Sequence, residues 1–193
     1  KLVNLGKLKL PSDEEAFRNS ESTHLILKKS GYSRYEISNY CLPRHQSRHN
    51  RVYWRGLGWW SFGQGSTSSP WGEKLTRPRV SKEYKQWVIR QYELNVDSSL
   101  VNKDFVYREL DEKIMLGLRL KEGIDIYQSL KEQDWEDKKF ERNLHKLLEE
   151  WEEFLESGLL VRKGNRFFLS DPKGMELSNQ ILISMFKWWD GIN

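Results

Sequence analysis

The 193-residue sequence predicts an α/β chain in two units, the second mostly helical and winged-helix-like. Three observations predict it. A capped helix over 13–29 runs straight into an alternating segment over 35–40, one helix–strand repeat. Beyond residue 103 the pattern becomes helices, a hairpin and a final helix. Between the two, the charge changes sign. Residues 1–103 hold 18 Lys and Arg against 9 Asp and Glu, a balance of +9; residues 104–193 hold 14 against 19, a balance of −5.

Residues 1–11 read as extended, punctuated by Gly6 and Pro11. Ser12 with Glu15 forms a capping box, and the thin apolar face of the helix it starts (Phe17, Leu25, Ile26, Leu27) is expected to cover a sheet. The strand over 35–40 ends at Cys41-Leu42-Pro43, and the glycine- and proline-rich stretch over 41–80 is expected to be loop, with a short strand over 59–62. SKEYKQWVIRQY over 81–92 is a helix capped by Ser81, with Tyr84, Trp87, Val88 and Gln91 on one face. The polar, patternless run over 93–103 is the expected linker. The division is therefore a first domain at 1–92, the linker at 93–103 and a second domain at 104–193.

In the second domain, Leu110, Ile114, Met115 and Leu118 make a helical stripe that Gly123 closes, and Asp125 caps a short helix through Leu130. Phe140, Leu144, Leu147, Leu148, Trp151, Phe154 and Leu155 keep a helical period up to Gly158. Strands over 159–162 and 166–169, joined by Lys163-Gly164-Asn165, form a hairpin, and a last helix runs over 172–188 behind Asp171-Pro172.

Composition narrows the class. With 37% hydrophobic, 31% charged and nine Trp, the chain is charge-rich yet carries enough large apolar side chains for a core. No apolar run is long enough to span a membrane, and KLVNLGKLKLPSDEE lacks the apolar stretch of a signal peptide. Starting at Lys1, the chain reads as a fragment or processed piece. The single cysteine excludes an internal disulfide and fits a reducing compartment.

The densest chemistry lies over 32–69, where YEISNYC, SRHNRVYW and FGQGSTSS follow in order. These motifs resemble the C-terminal half of the oxygen-independent coproporphyrinogen III oxidase-like family of radical-SAM proteins, most closely its HemW-type haem chaperones. The resemblance continues through Leu116-Gly117-Leu118-Arg119-Leu120 and Glu122-Gly123-Ile124-Asp125. It implies that 1–92 is the closing part of an incomplete (β/α) barrel and that the second domain is winged-helix-like. The full-length parent would hold a [4Fe–4S] cluster and S-adenosylmethionine. The cluster sits on an N-terminal CxxxCxxC that this one-cysteine chain lacks, so the chain is not expected to be catalytic alone.

By the same resemblance HNxxYW is a haem-contact motif, which makes His49 a candidate ligand of haem iron, with Asn50 and Tyr53 beside it. The alternative is that His49 and Asn50 pin the loop while Tyr53 and Trp54 pack. Cys41 is a weaker iron ligand, being also a typical small buried hydrophobe, and His45 is weaker still. His24 and His145 belong on the surface or at its edge. Gly63, Gly65 and Ser66 would line the cofactor end of the barrel, and Glu36 would face the cavity and pair with an arginine. Arg44, Arg48, Arg51 and Arg55, with Arg77 and Arg79, suit the carboxylates of a tetrapyrrole; Arg48 and Arg51 lead that set. Trp59 and Trp60 either stack on a macrocycle or pack against the barrel wall.

The expected function is haem binding and delivery to a haem-acceptor protein, in the cytoplasm or in an organellar matrix or stroma. A fragment of the oxidase itself is the first alternative, and a nucleic-acid-binding winged helix the second. The acidic second domain argues against DNA as a partner. A peripheral membrane contact is left open.

Overall fold

The computed structural model describes residues 3, 5, 6, 8–93 and 108–192. Helix α1 (Asp13–Lys29) starts at the capping box: the Ser12 hydroxyl accepts from Glu15 N–H at 3.2 Å, and the Glu15 carboxylate accepts from Ser12 N–H at 2.8 Å. Its buried residue is His24, whereas Phe17, Leu25 and Ile26 are exposed, so the expected apolar docking face is not the one used. Beyond it, the segment expected as one strand over 35–40 is a tight antiparallel hairpin. β1 (Ser33–Arg34) pairs with β2 (Tyr40–Cys41), and Tyr35 N–H donates to Asn39 C=O at 3.1 Å, which folds the alternating segment back on itself.

The region expected as loop holds α2 (Arg48–Trp54), whose N-cap Ser47 accepts from Asn50 N–H at 3.3 Å, and the pair β3 (Thr67–Ser68) with β4 (Leu75–Thr76). The strand expected over 59–62 reduces to a bridge between Trp59 and Ser69. Helix α3 (Ser81–Glu93) stands where the sequence put it, with Tyr84 and Trp87 stacked at 6.0 Å. From residue 94 the expected linker lies outside the described residues.

Next come α4 (Leu110–Leu118), β5 (Ile124–Asp125), α5 (Ile126–Lys131), α6 (Asp137–Glu150), α7 (Glu152–Glu156), β6 (Leu160–Lys163), β7 (Arg166–Leu169), α8 (Lys173–Glu176) and α9 (Ser178–Asp190). Here α4 stops at Leu118, short of Gly123. The long helix expected over 140–155 is cut at Trp151 (φ −101°, ψ 0°), and the last helix is cut at Leu177. The hairpin turn is Gly164-Asn165, since Lys163 pairs with Arg166 inside the ladder. The two-residue β5, not expected from sequence, joins β7 to make an antiparallel sheet in the order β5-β7-β6. Gly123 (φ +62°) lets the chain enter β5, where any Cβ would lie 2.0 Å from Phe167 O.

The core fills the space between this sheet and α4, α5, α6 and α9. Leu110, Ile114, Leu118, Leu147, Trp151, Phe167 and Ile181 are fully buried in it, and Trp188 Nε1–H is satisfied by Asn143 C=O at 2.9 Å. The first half contributes only Tyr35 and Cys41 to the buried apolar residues described, so it is held by polar ties. Residue 36 bridges residue 120, with Ile37 N–H donating to Arg119 C=O and Lys121 N–H to Tyr35 C=O. Arg34 and His24, which share the Tyr40 hydroxyl, meet Asp171, and Arg34 also meets Glu176. No helix among the described residues is long and apolar enough to cross a membrane.

Candidate functional site

One turn of helix decides where the HNxxYW residues point. Ser47 caps α2, which puts His49 and Tyr53 four residues apart on one face. His49 is exposed; its Nε2 shares a 2.9 Å hydrogen bond with the Tyr53 hydroxyl, and the two rings meet edge to face at 4.8 Å. Tyr53 in turn stands edge-on to Trp59 at 4.7 Å, and the Arg108 guanidinium covers Trp59 at 5.2 Å. An exposed imidazole thus heads a ladder of aromatic rings closed by a buried cation.

Arg108 anchors that end. It is buried, donates to Gly56 C=O and Gly72 C=O, and faces Glu112 at 3.6 Å. The Trp59 indole N–H donates to Thr67 C=O at 3.1 Å, which carries the ladder to the strand next to Ser66. Neither this role of Trp59 nor Arg108 follows from the sequence, because their contacts span many residues and leave no local period.

The glycine turn is internally satisfied at its second half. Ser66 Oγ donates to Gly63 C=O at 2.6 Å and Gly65 N–H donates to Pro78 C=O at 2.9 Å, so Gly65 and Ser66 do not leave free backbone donors in the opening. Both Gly63 and Gly65 need positive φ, and a Cβ on Gly65 would sit 3.2 Å from Arg79 Cγ. Arg77 ties the turn down by donating to the hydroxyls of Ser61, Ser66 and Ser68 at 3.0–3.2 Å while packing over Trp87.

The arginines divide. Arg48 is exposed, as is Arg44, which sits at φ +69°. Arg51 is engaged by Gln46 at 2.5 Å and by Glu122, and Arg55 approaches the same Glu122 carboxylate at 3.8 Å. Asn50 donates to the Tyr35 hydroxyl at 3.3 Å and so links α2 to the hairpin. Cys41 is a free thiol, buried in β2, and His45 is exposed with Nδ1 2.9 Å from Pro43 C=O. Trp60 is exposed against the edge of Trp71.

Two expectations fail in this region. His24 is buried, not superficial: Nδ1 lies 3.2 Å from the Tyr40 hydroxyl and 3.6 Å from Asp171, contacts that draw a polar ring inward. Glu36 pairs with no arginine. It is fully buried by the bridge to Leu120, and both its oxygens are without a hydrogen-bond partner. Among the described residues no group of three His, Cys, Asp or Glu side chains is placed to hold a metal ion.

The HemN C-terminal domain family matches residues 108–177. The chain is 34% identical to the heme chaperone HemW of Synechocystis sp. over 94% of its own length and 46% of that protein's. It is 29% identical to HemW of Lactococcus lactis, covering 91% of this chain and 43% of the relative. It is 26% identical to the mitochondrial radical S-adenosyl methionine domain-containing protein 1 of Danio rerio, covering 95% and 40%. Among solved structures it is similar to the coproporphyrinogen III oxidase HemN of Escherichia coli, a radical SAM enzyme, with a TM-score of 0.60 at 16% identity over 93% of this chain and 43% of that one. The chain therefore spans less than half the length of the curated relatives it matches.

Proposed function

From the premise that this chain is related to the C-terminal half of HemW-type haem chaperones, we propose that it binds haem and passes it to an acceptor protein. The observation that carries the reading is the exposed imidazole of His49 at the head of the Tyr53–Trp59 ladder, on the helix formed by the HNxxYW motif. Haem supplies an iron that takes an imidazole nitrogen as axial ligand and a flat face that rests on aromatic rings. His49 would be the ligand, with Tyr53 holding the ring until iron takes its place and Asn50 fixing the helix against Tyr35. Arg48 would meet a propionate carboxylate. Arg51 follows it, since Glu122 must first release it. Gly63, Gly65 and Ser66 would give shape more than hydrogen bonds, and Cys41 would ligate only after leaving its buried position.

The residues do not fit an iron–sulfur cluster, because one thiol cannot supply the several thiolates it needs. Cluster and S-adenosylmethionine are assigned to the rest of a longer parent, and this chain to a role that is not catalytic by itself. The exposed apolar side chains of Phe17, Leu25 and Ile26 on α1, and of Trp60 and Phe62 in the loop, support a parent that covers them. In this reading 1–92 is the closing part of the barrel, the boundary falls within 93–103, and 104–193 is a winged helix. The helix–strand–helix–helix–hairpin order with the sheet order β5-β7-β6 supports the last of these. The HemW relatives favour a chaperone over the oxidase, and the single cysteine supports a reducing compartment, the cytoplasm or an organellar stroma or matrix.

A haem titration followed by the Soret band tests the proposal. Saturable one-to-one binding is expected, lost in His49→Ala and weakened by roughly 10–100-fold in Arg48→Ala, the worth of about one charge-assisted hydrogen bond. Unchanged Soret spectra in folded His49→Ala would overturn the ligand assignment. Absence of any saturable binding would overturn the function.

A further inference from the structure

We propose that the groove between α6, α7 and β6 docks a basic amphipathic helix of a partner protein, independently of haem. Fully buried Trp151 breaks the helical run, and the elbow between α6 and α7 opens a groove of about 610 Å³ against Arg162 of β6. Its floor is apolar: Leu144, Leu148 and Leu155 lie along it at the spacing that receives side chains projecting from one face of a helix. The rim is acidic, formed by Glu141, Glu149, Glu152 and Glu156.

Charge complementarity identifies the occupant. Among the described residues, Glu141, Glu152 and Glu156 form no ion pair, and Glu149 has only His145 at 3.6 Å. The one arginine among the lining residues, Arg162, is engaged by Gly164 C=O and the Tyr127 hydroxyl. An apolar strip fringed by unpaired carboxylates selects Lys or Arg flanking the apolar face of the incoming helix. It repels phosphate-rich ligands and acidic peptides.

The test is fluorescence anisotropy on the full chain with a labelled 18-residue helical peptide, leucines on one face and lysines on its flanks. Saturable binding is expected, at least about tenfold weaker in E149K/E152K/E156K. The equally charged control E14K/E21K/E73K, built from exposed residues away from the groove, should bind as the wild type does. Circular dichroism confirms that both variants remain folded. A peptide with serines in place of the leucines, or with glutamates in place of the lysines, should not bind. Equal loss in both triple variants, binding of the serine peptide, or no binding at all would each overturn the proposal. So would a concentration-dependent dimer in sedimentation velocity that the groove variant abolishes, since the occupant would then be a second copy.

Discussion

Glu36 is the residue whose environment departs furthest from its chemistry. A carboxylate fully buried with neither oxygen bonded to any described residue carries a desolvation cost that none of these residues offsets. Replacing it by Gln keeps the shape and removes the charge, so E36Q should leave stability unchanged or raise it by about 1–3 kcal/mol, read as the midpoint of urea unfolding. A clear loss instead would mean that the carboxylate has a charged partner in the folded chain. Glu132 is the opposite case. Its hydrogen bond to Lys113, 2.9 Å long, chiefly holds its pKa below the ordinary value, helped by Gln128 and opposed by partial burial. A carboxylate whose folded pKa is depressed stabilises above its unfolded pKa and loses that contribution as pH falls through the folded one. The urea midpoint of E132Q should therefore lie slightly below wild type at pH 7 and converge with it on acidification below about pH 4. The sequence puts Glu36 on the inward side of its segment and offers it an arginine, a pairing that the fold does not make. It also names His49 and Tyr53 together without showing that they share a helical face, because a seven-residue helix capped by Ser47 is too short to leave a period.

At the scale of elements, legibility follows length. α1, α3 and α5, and the pair β6–β7, were readable because caps or several turns of periodic burial repeat the same message. The two-residue strands are not: β5 leaves no alternation to see, and the alternation over 35–40 falls mostly in the turn between β1 and β2. Trp151 shows a different blindness. Its period continues across α6 and α7, so the pattern reads as one helix while the backbone turns to seat the indole beside Phe167 at 5.4 Å. Gly123 reads in the sequence as a helix stop, but its role lies in the sheet. Positive φ and the approach of Phe167 C=O exclude any side chain, so G123A should destabilise by roughly 2–4 kcal/mol through strain and loss of the β5–β7 pairing. Thermal unfolding of that variant, set against the more open Gly164→Ala at φ +60°, separates the clash from backbone strain alone. Only the second should remain within about 1 kcal/mol of wild type.

Across the whole molecule, apolar burial and polar docking are unevenly shared. Nearly all the buried apolar side chains described lie between Leu110 and Trp188, while α1 and the hairpin hold on through Arg34 and His24, joined by the Tyr40 hydroxyl, and through Ser20, which meet Asp171 and Glu176. Arg34 is the centre of that tie. It is 5% exposed, donates to the Tyr40 hydroxyl through Nε at 2.9 Å and Nη2 at 2.5 Å, and lies 3.7 Å from Asp171 and 3.9 Å from Glu176. Removing it strands two acidic groups without their cation, a change that costs about 3–5 kcal/mol in buried sites. That cost should fall on the docking of the first segment and not on the core, because Arg34 is outside the apolar cluster between Leu110 and Trp188. In R34A, hydrogen exchange in α1 and α2 should therefore accelerate by about two to three orders of magnitude while α4, α6 and α9 keep their protection. Uniform loss of protection would instead mean that the polar tie and the apolar core unfold as one cooperative unit, and that the charge split along the sequence does not mark a division in stability.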